Sequence, residues 1–246
     1  MKHKEVKIFF FPYAGSSVYN YIEWKKIFPE NIEVCLIELA GRGSRMEDPF
    51  YKDMDEAVED IYSILRPQIQ DTDYCLFGHS MGNLFAYEMY HKAQENEDRL
   101  PLHMYLSGRN PPRLNDPVKR VSHLPGNQFL DSISGYGGVS KQMYEDEGIK
   151  EIFLPILKAD FRLLEDYQYK ERSELIKSDV TVFYGDKDHS TPWDKIRIWS
   201  EYVDKDITIC QFEGQHFFCF QPKNREYIIK RMIQNNERME FGNVEE

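Results

Sequence analysis

Apolar and polar positions along the chain form two repeating patterns. Short apolar runs of β-prone residues suit strands that are buried on both faces. Such runs occur at 6–11, 32–39, 74–77, 102–108, 180–184 and 207–212. Segments with apolar residues at helical spacing lie between several of them, and the clearest should begin at a capping Asp53 and end near Pro67. Repeated strand–helix units predict an α/β fold with a mostly parallel sheet and ligands beyond its carboxyl edge.

This strand–helix rhythm breaks between about residues 109 and 169. The segment opens near a proline pair at 111–112, carries glycines over 135–138, and contains a long amphipathic run over 149–164. We expect an inserted helical lid over the carboxyl edge of the sheet, which would exclude water from a site beneath it. The alternative is that these helices serve only for packing.

The clearest chemical signal is Gly78-His79-Ser80-Met81-Gly82, which lies between a β-prone run and a helix-prone segment. Gly-x-Ser-x-Gly in that context is typical of a nucleophile elbow, a sharp turn that exposes the serine hydroxyl. Ser80 is therefore the candidate nucleophile. The N–H of Met81 would lie at the start of a helix, where a negative charge is favoured, so Met81 is a candidate oxyanion donor. His79 is expected to pack rather than to catalyse.

Two later loops supply possible partners for Ser80. Asp186 and Asp188 follow the fifth β-prone run, and either could orient and stabilise a catalytic imidazole. His216, in the loop after the sixth run, is the candidate base. The order serine, aspartate, histidine is that of the α/β-hydrolases, and it indicates acyl transfer through a covalent acyl-enzyme.

Two further loops follow early strands. The loop at 12–17 is placed where α/β-hydrolases supply a second oxyanion amide, for which Ala14 is the candidate; an ordinary strand-to-helix turn is the alternative. Arg42 and Arg45 lie in a glycine-rich loop and could bind an anionic group of a substrate. A solvated turn is the alternative for this second loop.

Composition narrows the possible functions. The 246 residues carry a formal net charge of −11, which argues against binding to nucleic acid or to an anionic membrane surface. The four cysteines lack paired spacing, and the seven histidines lack zinc-ligand spacing, so reduced core cysteines and no metal are expected. Without a signal peptide or membrane span, we expect one cytoplasmic domain over 1–246, with a closing helix over 222–236 and a frayed tail over 235–246.

Together these motifs resemble those of the type II thioesterases, the stand-alone editing α/β-hydrolases of nonribosomal peptide and polyketide synthesis. The resemblance extends over nearly the whole chain. Its motifs are Phe11-Pro12-Tyr13-Ala14-Gly15-Ser16, Gly41-Arg42-Gly43-Ser44-Arg45, Gly78-His79-Ser80-Met81-Gly82, Leu157-Lys158-Ala159-Asp160-Phe161-Arg162, Gly185-Asp186-Lys187-Asp188 and Gly214-Gln215-His216-Phe217-Phe218. Two residues depart from the family pattern: Ala40 stands where proline is frequent before Gly-Arg, and Asn83 where alanine usually follows the elbow.

The resemblance implies an α/β-hydrolase fold with a helical lid and a Ser–His–Asp mechanism without cofactor or metal. It places the acid fourth in Gly-x-x-Asp, which favours Asp188. The implied substrate is an acyl or aminoacyl thioester on the phosphopantetheine arm of a carrier protein, removed when a synthetase is misprimed or stalled. The implied partner is therefore a carrier-protein domain, and we expect the enzyme itself to be a monomer. Candidates for contact with the phosphate of the arm are Arg42, Arg45, Arg109 and Arg113.

Four alternatives remain open at this point. A close relative within the same resemblance releases medium-chain fatty acids from their thioesters. A general esterase or lipase and a serine peptidase use the same catalytic residues. A hydrolase-like binding protein without turnover is the alternative of another class, although such a protein is expected to lack one member of the triad. Fold alone does not separate these functions.

Overall fold

The structure is a computed structural model that describes residues 6–114 and 120–241. The predicted domain over 1–246, the predicted lid over 109–169 and the predicted tail over 235–246 each include residues outside these ranges. The statements below on these three segments refer to their described residues.

In the described residues, six parallel strands form one sheet. They are β1 Val6–Phe11, β2 Ile32–Leu36, β3 Asp73–His79, β4 His103–Ser107, β5 Asp179–Gly185 and β6 Thr208–Phe212. Their order across the sheet is β2-β1-β3-β4-β5-β6, so the direction of winding reverses between β1 and β3. In such sheets the crevice outside the carboxyl ends of the strands at the reversal is the usual place for a ligand. Every predicted strand is present, although the second ends at Leu36 rather than at residue 39.

Helices and helical turns connect the strands. The α-helices are α1 Ile22–Lys25, α2 Met54–Ile69, α3 Met81–Glu95, α4 Gly126–Ile133, α5 Gln142–Glu145, α6 Glu147–Asp166, α7 Trp193–Ile196 and α8 Pro222–Phe241. Short 3-10 turns lie at Val18–Tyr21, Gly43–Arg45, Pro112–Leu114, Ser134–Tyr136, Arg197–Tyr202 and Phe218–Phe220.

Two predicted helix boundaries need correction. The helix α2 begins after Asp53, whose side chain accepts a hydrogen bond from the amide of Glu56, but it continues past Pro67 to Ile69. A proline removes one backbone hydrogen bond and its ring crowds the preceding turn, and α2 accordingly ends two residues after Pro67. The helix α8 likewise runs to Phe241 rather than ending near 236, through residues with good helix propensity. After Ser17 the chain forms a 3-10 turn followed by the one-turn α1.

The sheet is covered on both faces. Phe9 and Phe11 of β1 belong to a cluster formed with α2 and α3, whereas Ile8 and Phe10 belong to a cluster on the other face with Trp24 and α8. This division follows from the alternation of side chains along a strand. It explains why β1 reads as a continuous apolar run. None of the helices in the described residues is both long and apolar enough to cross a membrane.

The described segments between β4 and β5, at 112–114 and 120–166, contain α4, α5 and α6, and are called the lid below. A third apolar cluster lies within it and consists of Val121, Phe129, Leu130, Ile133, Met143, Leu157 and Phe161. The helix α6 also joins the lid to the core, because Leu163 and Leu164 belong to the cluster of α2 and α3. The other end of α6 is more open, with Ile152 and Phe153 being 53% and 42% exposed.

Candidate active site

Ser80 occupies the turn between β3 and α3. Its backbone has φ 55° and ψ −116°, a left-handed conformation that a residue with a side chain rarely adopts. The amide of Ser80 donates to the carbonyl of Ser107 at 2.9 Å, and the amide of Asn83 donates to the carbonyl of Ser80 at 3.1 Å. The end of β4 and the first turn of α3 therefore hold the strained residue in place.

The two glycines of the motif allow this turn to pack closely. A Cβ atom on Gly78 would lie 1.9 Å from the carbonyl oxygen of Gly82. A Cβ atom on Gly82 would lie 2.3 Å from the carbonyl oxygen of Phe11, in the neighbouring β1. Real Cβ atoms do not approach other atoms so closely, so the spacing of the glycines follows from the backbone of the turn itself.

Three loops at the carboxyl edge of the sheet bring Ser80, His216 and Asp188 together. The Oγ of Ser80 is 3.0 Å from Nε2 of His216, and Nδ1 of His216 is 2.8 Å from Oδ2 of Asp188. Asp186, the other candidate acid, instead accepts a hydrogen bond from the amide of Gly214 at 2.8 Å. Of the two aspartates, Asp188 is thus the one in contact with the imidazole.

Two residues that the sequence analysis did not identify surround Asp188. Ser190 donates its amide and its hydroxyl to Oδ1 of Asp188 at 2.9 and 2.6 Å, and the hydroxyl of Thr191 donates to Oδ2 at 2.9 Å. Burial favours a higher pKa for Asp188, but the hydrogen bonds from His216, Ser190 and Thr191 outweigh it and lower the pKa to about 2. The acid is therefore ionised across the neutral range. Hydroxyl residues two and three positions after the acid were the available signal for this local motif.

A cavity of about 460 Å³ opens above Ser80, between the sheet edge and the lid. Its sheet-side lining includes Tyr13, Ala14, Gly15, Ser80, Gly108, Arg109, His216 and Phe217. Its lid-side lining is largely apolar and includes Ile133, Tyr136, Val139, Met143, Phe153, Leu157, Phe161 and Leu164. Its size and its mixture of apolar walls and a few polar groups are typical of a site for a small organic group.

The family of the chain follows from comparison with known proteins. The model of the thioesterase domain family matches residues 6–235. The chain belongs to the thioesterase family. It is a thioester hydrolase, and the match confirms the enzyme class predicted from the motifs.

Individual relatives extend this result. Linear gramicidin dehydrogenase LgrE from Brevibacillus parabrevis is 34% identical over 228 residues, which cover 92% of this chain and 86% of LgrE. The medium-chain S-acyl fatty acid synthase thioesterase of Rattus norvegicus is 29% identical over 225 residues, covering 90% of this chain and 84% of the relative. The crystal structure of ClbQ from the colibactin NRPS/PKS pathway superposes with a TM-score of 0.90 at 28% identity, covering 97% and 99% of the two chains. These matches confirm the α/β-hydrolase fold and the resemblance to type II thioesterases.

The residues of both predicted oxyanion donors lie near Ser80. Met81 is the first residue of α3 and is buried. Ala14 lies in the loop after β1 and lines the same cavity as Ser80. The sheet reversal between β1 and β3 brings these two loops side by side. Both candidate residues therefore belong to loops at the same part of the sheet edge as Ser80.

His79 packs beside the candidate base His216, as expected from its place in the elbow. Its ring is buried, its Nδ1 is 3.0 Å from Oγ of Ser107, and its centroid is 5.0 Å from that of His216. Burial and the neighbouring His216 hold the pKa of His79 well below its usual range. A neutral ring at this position adds no second positive charge next to the candidate base.

The four candidate arginines occupy different environments. Arg109 lines the cavity, where burial lowers its pKa to about 10. Arg42 is buried against Asp160, and Arg45 binds Asp48 and Asp60, so both arginines bind carboxylates within the protein. Arg113 is exposed, pairs with Glu201, and lies outside the lining of the cavity.

A further cation at the cavity was not predicted. Lys195 lies in the short helix α7, which the sequence analysis missed, and it lines the cavity together with Arg109. As for metals, none of the described His, Cys, Asp and Glu side chains form a group of three or more that could hold an ion.

Proposed function

We propose that this thioesterase hydrolyses acyl or aminoacyl thioesters on the phosphopantetheine arm of carrier-protein domains, and so removes wrong or stalled acyl groups from a nonribosomal peptide or polyketide synthetase. The observation that carries the proposal is the hydrogen-bonded series of Ser80, His216 and Asp188 beneath a lid-covered apolar cavity. The origin of ClbQ in an NRPS/PKS pathway supports the choice of substrate.

The proposed reaction has two halves. In the first, Oγ of Ser80 attacks the thioester carbonyl while Nε2 of His216 takes the hydroxyl proton, and Asp188 stabilises the resulting imidazolium. The amides of Ala14 and Met81 stabilise the tetrahedral oxyanion. The C–S bond then breaks, and His216 returns the proton to the departing thiolate. In the second half, His216 activates a water molecule that attacks the acyl-enzyme, which releases the carboxylic acid and restores Ser80.

A thioester suits this set of residues. A thiolate leaves more readily than an alkoxide, so a nucleophile, a base and two amide donors are sufficient for the reaction. The apolar lid side of the cavity would accommodate the acyl chain, because burial of its methylene groups is favourable. Arg109 and Lys195 both line the cavity and are proposed to contact the phosphate of the arm.

Recognition of the carrier protein is proposed to be local rather than long-range. The thioesterase has a net charge of −11, and carrier domains of this class are themselves usually acidic, so the two proteins would repel each other at a distance. Exposed apolar side chains near the cavity offer a docking surface: Ile152 and Phe153 on α6, and Trp193 on α7, which is 53% exposed. Added salt should therefore leave binding unchanged or strengthen it.

The deciding experiment compares kcat/KM for one acyl group carried on a carrier protein, on coenzyme A and in a simple aryl ester. We expect the carrier-bound thioester to be preferred. Ser80→Ala should lose several orders of magnitude in rate and all labelling by a fluorophosphonate, whereas Ser63→Ala, at an exposed serine of α2, is the matched control. Equal values for carrier and coenzyme A, or preference for the plain ester, would favour a general esterase. A Ser80→Ala variant that is still labelled would contradict the catalytic assignment.

Two relatives suggest further arms of the same panel. The medium-chain rat thioesterase makes release of medium-chain acids the second candidate, which a series of acyl lengths on one carrier would test. LgrE is named a dehydrogenase, so the products formed from the same carrier-bound substrates should also be checked for a change of oxidation state. Release of the acid without a change of oxidation state is the result expected from the triad.

A further inference from the structure

A buried ion pair ties the lid to the sheet edge. Arg42, which follows β2, and Asp160, in α6 of the lid, are only 2% and 1% exposed. The Nη2 of Arg42 donates to Oδ1 of Asp160 at 2.5 Å, and Nη1 donates to Oδ2 at 2.6 Å. The pair is therefore bidentate, which fixes the direction of both side chains as well as their separation.

The same pair holds the backbone of the loop after β1. The amide of Gly15 donates to Oδ2 of Asp160 at 2.7 Å, and the carbonyl of Ser16 accepts from Nη1 of Arg42 at 3.1 Å. Gly15 has φ +79°, and a Cβ atom on it would lie 2.3 Å from Cδ2 of Leu157, one turn before Asp160 on α6. Hydrogen bonding and close packing thus both attach this loop to the lid helix.

These bonds also bear on the direction of the Ala14 amide. The carbonyl of Tyr13 accepts from the amide of Ser16 at 3.0 Å and from its hydroxyl at 2.8 Å. In a trans peptide the carbonyl and the following N–H point in opposite directions, and the described residues contain no cis peptide. Ser16 therefore fixes the direction of the Ala14 N–H through the carbonyl of Tyr13, and Arg42 in turn holds Ser16.

We propose that Asp160 is a positioning residue for the oxyanion site, because together with Arg42 it holds the loop that carries Ala14 in place. The reaction at Ser80 then depends on contact between the lid helix α6 and this loop. This inference rests on the proposed function, in which the amide of Ala14 is an oxyanion donor. Displacement of α6 from the loop would break the bond from Gly15 to Asp160. The oxyanion site is then complete only while the lid is closed on the acyl group.

Fold stability alone does not account for the pair. Replacement of a whole buried ion pair by apolar side chains of similar size is often neutral or stabilising, because two charges must be desolvated to form it. The pair also binds two backbone groups of one particular loop, and that loop lines the cavity beside Ser80. A positioning role explains these bonds, which a purely structural pair would not need.

The test compares Asp160→Ala and Asp160→Asn with Asp166→Asn. Asp166 ends the same helix and pairs with Arg120 at the surface, so it is the matched control. We expect Asp160→Ala to lower kcat by about 10²-fold, the effect of losing one oxyanion donor, with KM changed less than about threefold. Asp160→Asn should lose less, since its amide oxygen can still accept from Gly15. The control should stay within about twofold of the wild type.

A second readout separates positioning from folding. An alkyl trifluoromethyl ketone forms a tetrahedral adduct with the serine, so its affinity should fall by about the same factor as kcat, while affinity for the unreacted substrate is kept. Rates are expressed per fluorophosphonate-labelled site, which removes any unfolded fraction. Wild-type kcat and ketone affinity per labelled site in the Asp160 variants would overturn the proposal.

If Asp160→Ala does not fold, Arg42→Lys supplies the same test. It keeps the positive charge but loses the two-pronged contact with Asp160 and the bond to Ser16. We expect an intermediate loss of kcat and of ketone affinity; wild-type values would overturn the proposal. All variants are assayed with an aryl ester as well as with the carrier-bound thioester. A wild type that cleaves only the ester would refute the proposed function, yet the comparison of Asp160 variants would still be decided on the ester.

Discussion

The carboxyl edge of the sheet and the lid differ in the kind of contact that holds each of them in shape. At the sheet edge, backbone atoms pack so closely that an added carbon on Gly78 would overlap Gly82 within the elbow, and one on Gly82 would overlap Phe11 of β1. In the lid, a small apolar cluster around Phe129 and Phe161 packs α4 and α5 against α6. Among the described parts of the lid, α6 contributes buried residues to the main core, through Leu163 and Leu164. Backbone geometry therefore fixes the position of Ser80, whereas side-chain packing holds the lid helices together.

The first prediction concerns the two aspartates of the loop after β5, at the carboxyl edge of the sheet. Asp188→Asn should lower kcat by about 10²- to 10⁴-fold, because the neutral amide no longer stabilises the charged imidazole. Asp186→Asn, two residues away, should stay within about twofold, since its side-chain oxygen can still accept from Gly214. Steady-state rates per labelled site give both numbers. Undiminished turnover in Asp188→Asn, or an equal loss in the two variants, would contradict the assignment of the acid.

The second prediction makes the same substitution in both regions. Gly82→Ala places a carbon 2.3 Å from the carbonyl oxygen of Phe11, so it should cost about 3 kcal/mol of stability and distort the elbow. Gly135→Ala in the lid meets no atom within 4 Å and lies in a helical turn, so it should be neutral or slightly stabilising. Urea denaturation measures both. Similar effects at the two glycines would remove the distinction between a close-packed edge and a loosely packed lid.

The third prediction concerns the pH dependence of stability that arises from two buried histidines outside the lid, His91 and His103. Burial lowers the pKa of His91 in α3 and of His103 in β4 to about 4. Below the unfolded value of about 6.5, the unfolded chain therefore binds protons that the folded chain does not, so stability must fall as pH falls from about 6.5 towards 4. Between pH 7 and pH 5 each of these histidines should account for a loss of about 2 kcal/mol.

His103→Gln should flatten this pH dependence by about that amount in urea denaturation at pH 7, 6 and 5. Glutamine keeps a polar group near the hydroxyl of Thr181, which lies 2.8 Å from Nε2 of His103. The matched control is His123→Gln, at an exposed histidine of the lid. The prediction is wrong if both substitutions flatten the curve equally, or if stability rises as the pH is lowered.

Local signals were sufficient to predict the main elements of the fold. The strands are continuous apolar runs in the sequence because both of their faces are covered. The elbow has the pattern Gly-x-Ser-x-Gly because the turn leaves no room for a Cβ atom at two positions. The boundaries were less accurate where a local rule was too strict, as at Pro67. The short helix α7 was missed because four residues are too few to show helical periodicity.

The parts of the candidate site that depend on contacts between distant segments of the chain could not be predicted from the sequence. Arg42 lies in a glycine-rich loop, a pattern typical of an exposed turn, and its carboxylate partner is 118 positions away on the lid. Nothing near Arg42 in the sequence marks it as buried. Ser190 and Thr191 could have been found from their spacing after Asp188, whereas Lys195 could not, since its place at the cavity depends on how α7 packs.

The last prediction addresses motion in the lid. Helices joined to the core mainly through one end of α6 should open at lower free energy than the central strands, since few buried contacts must break. Native-state amide exchange should therefore show protection at least tenfold lower in α4 and α5 than in β3 and β4, a difference of about 1.4 kcal/mol. The segment of α6 from Ile156 to Leu164 should be intermediate, because it contributes to both clusters. Protection in α4 equal to that in β3 would identify the lid as a rigid wall, and access to Ser80 would then depend on the cavity mouth alone.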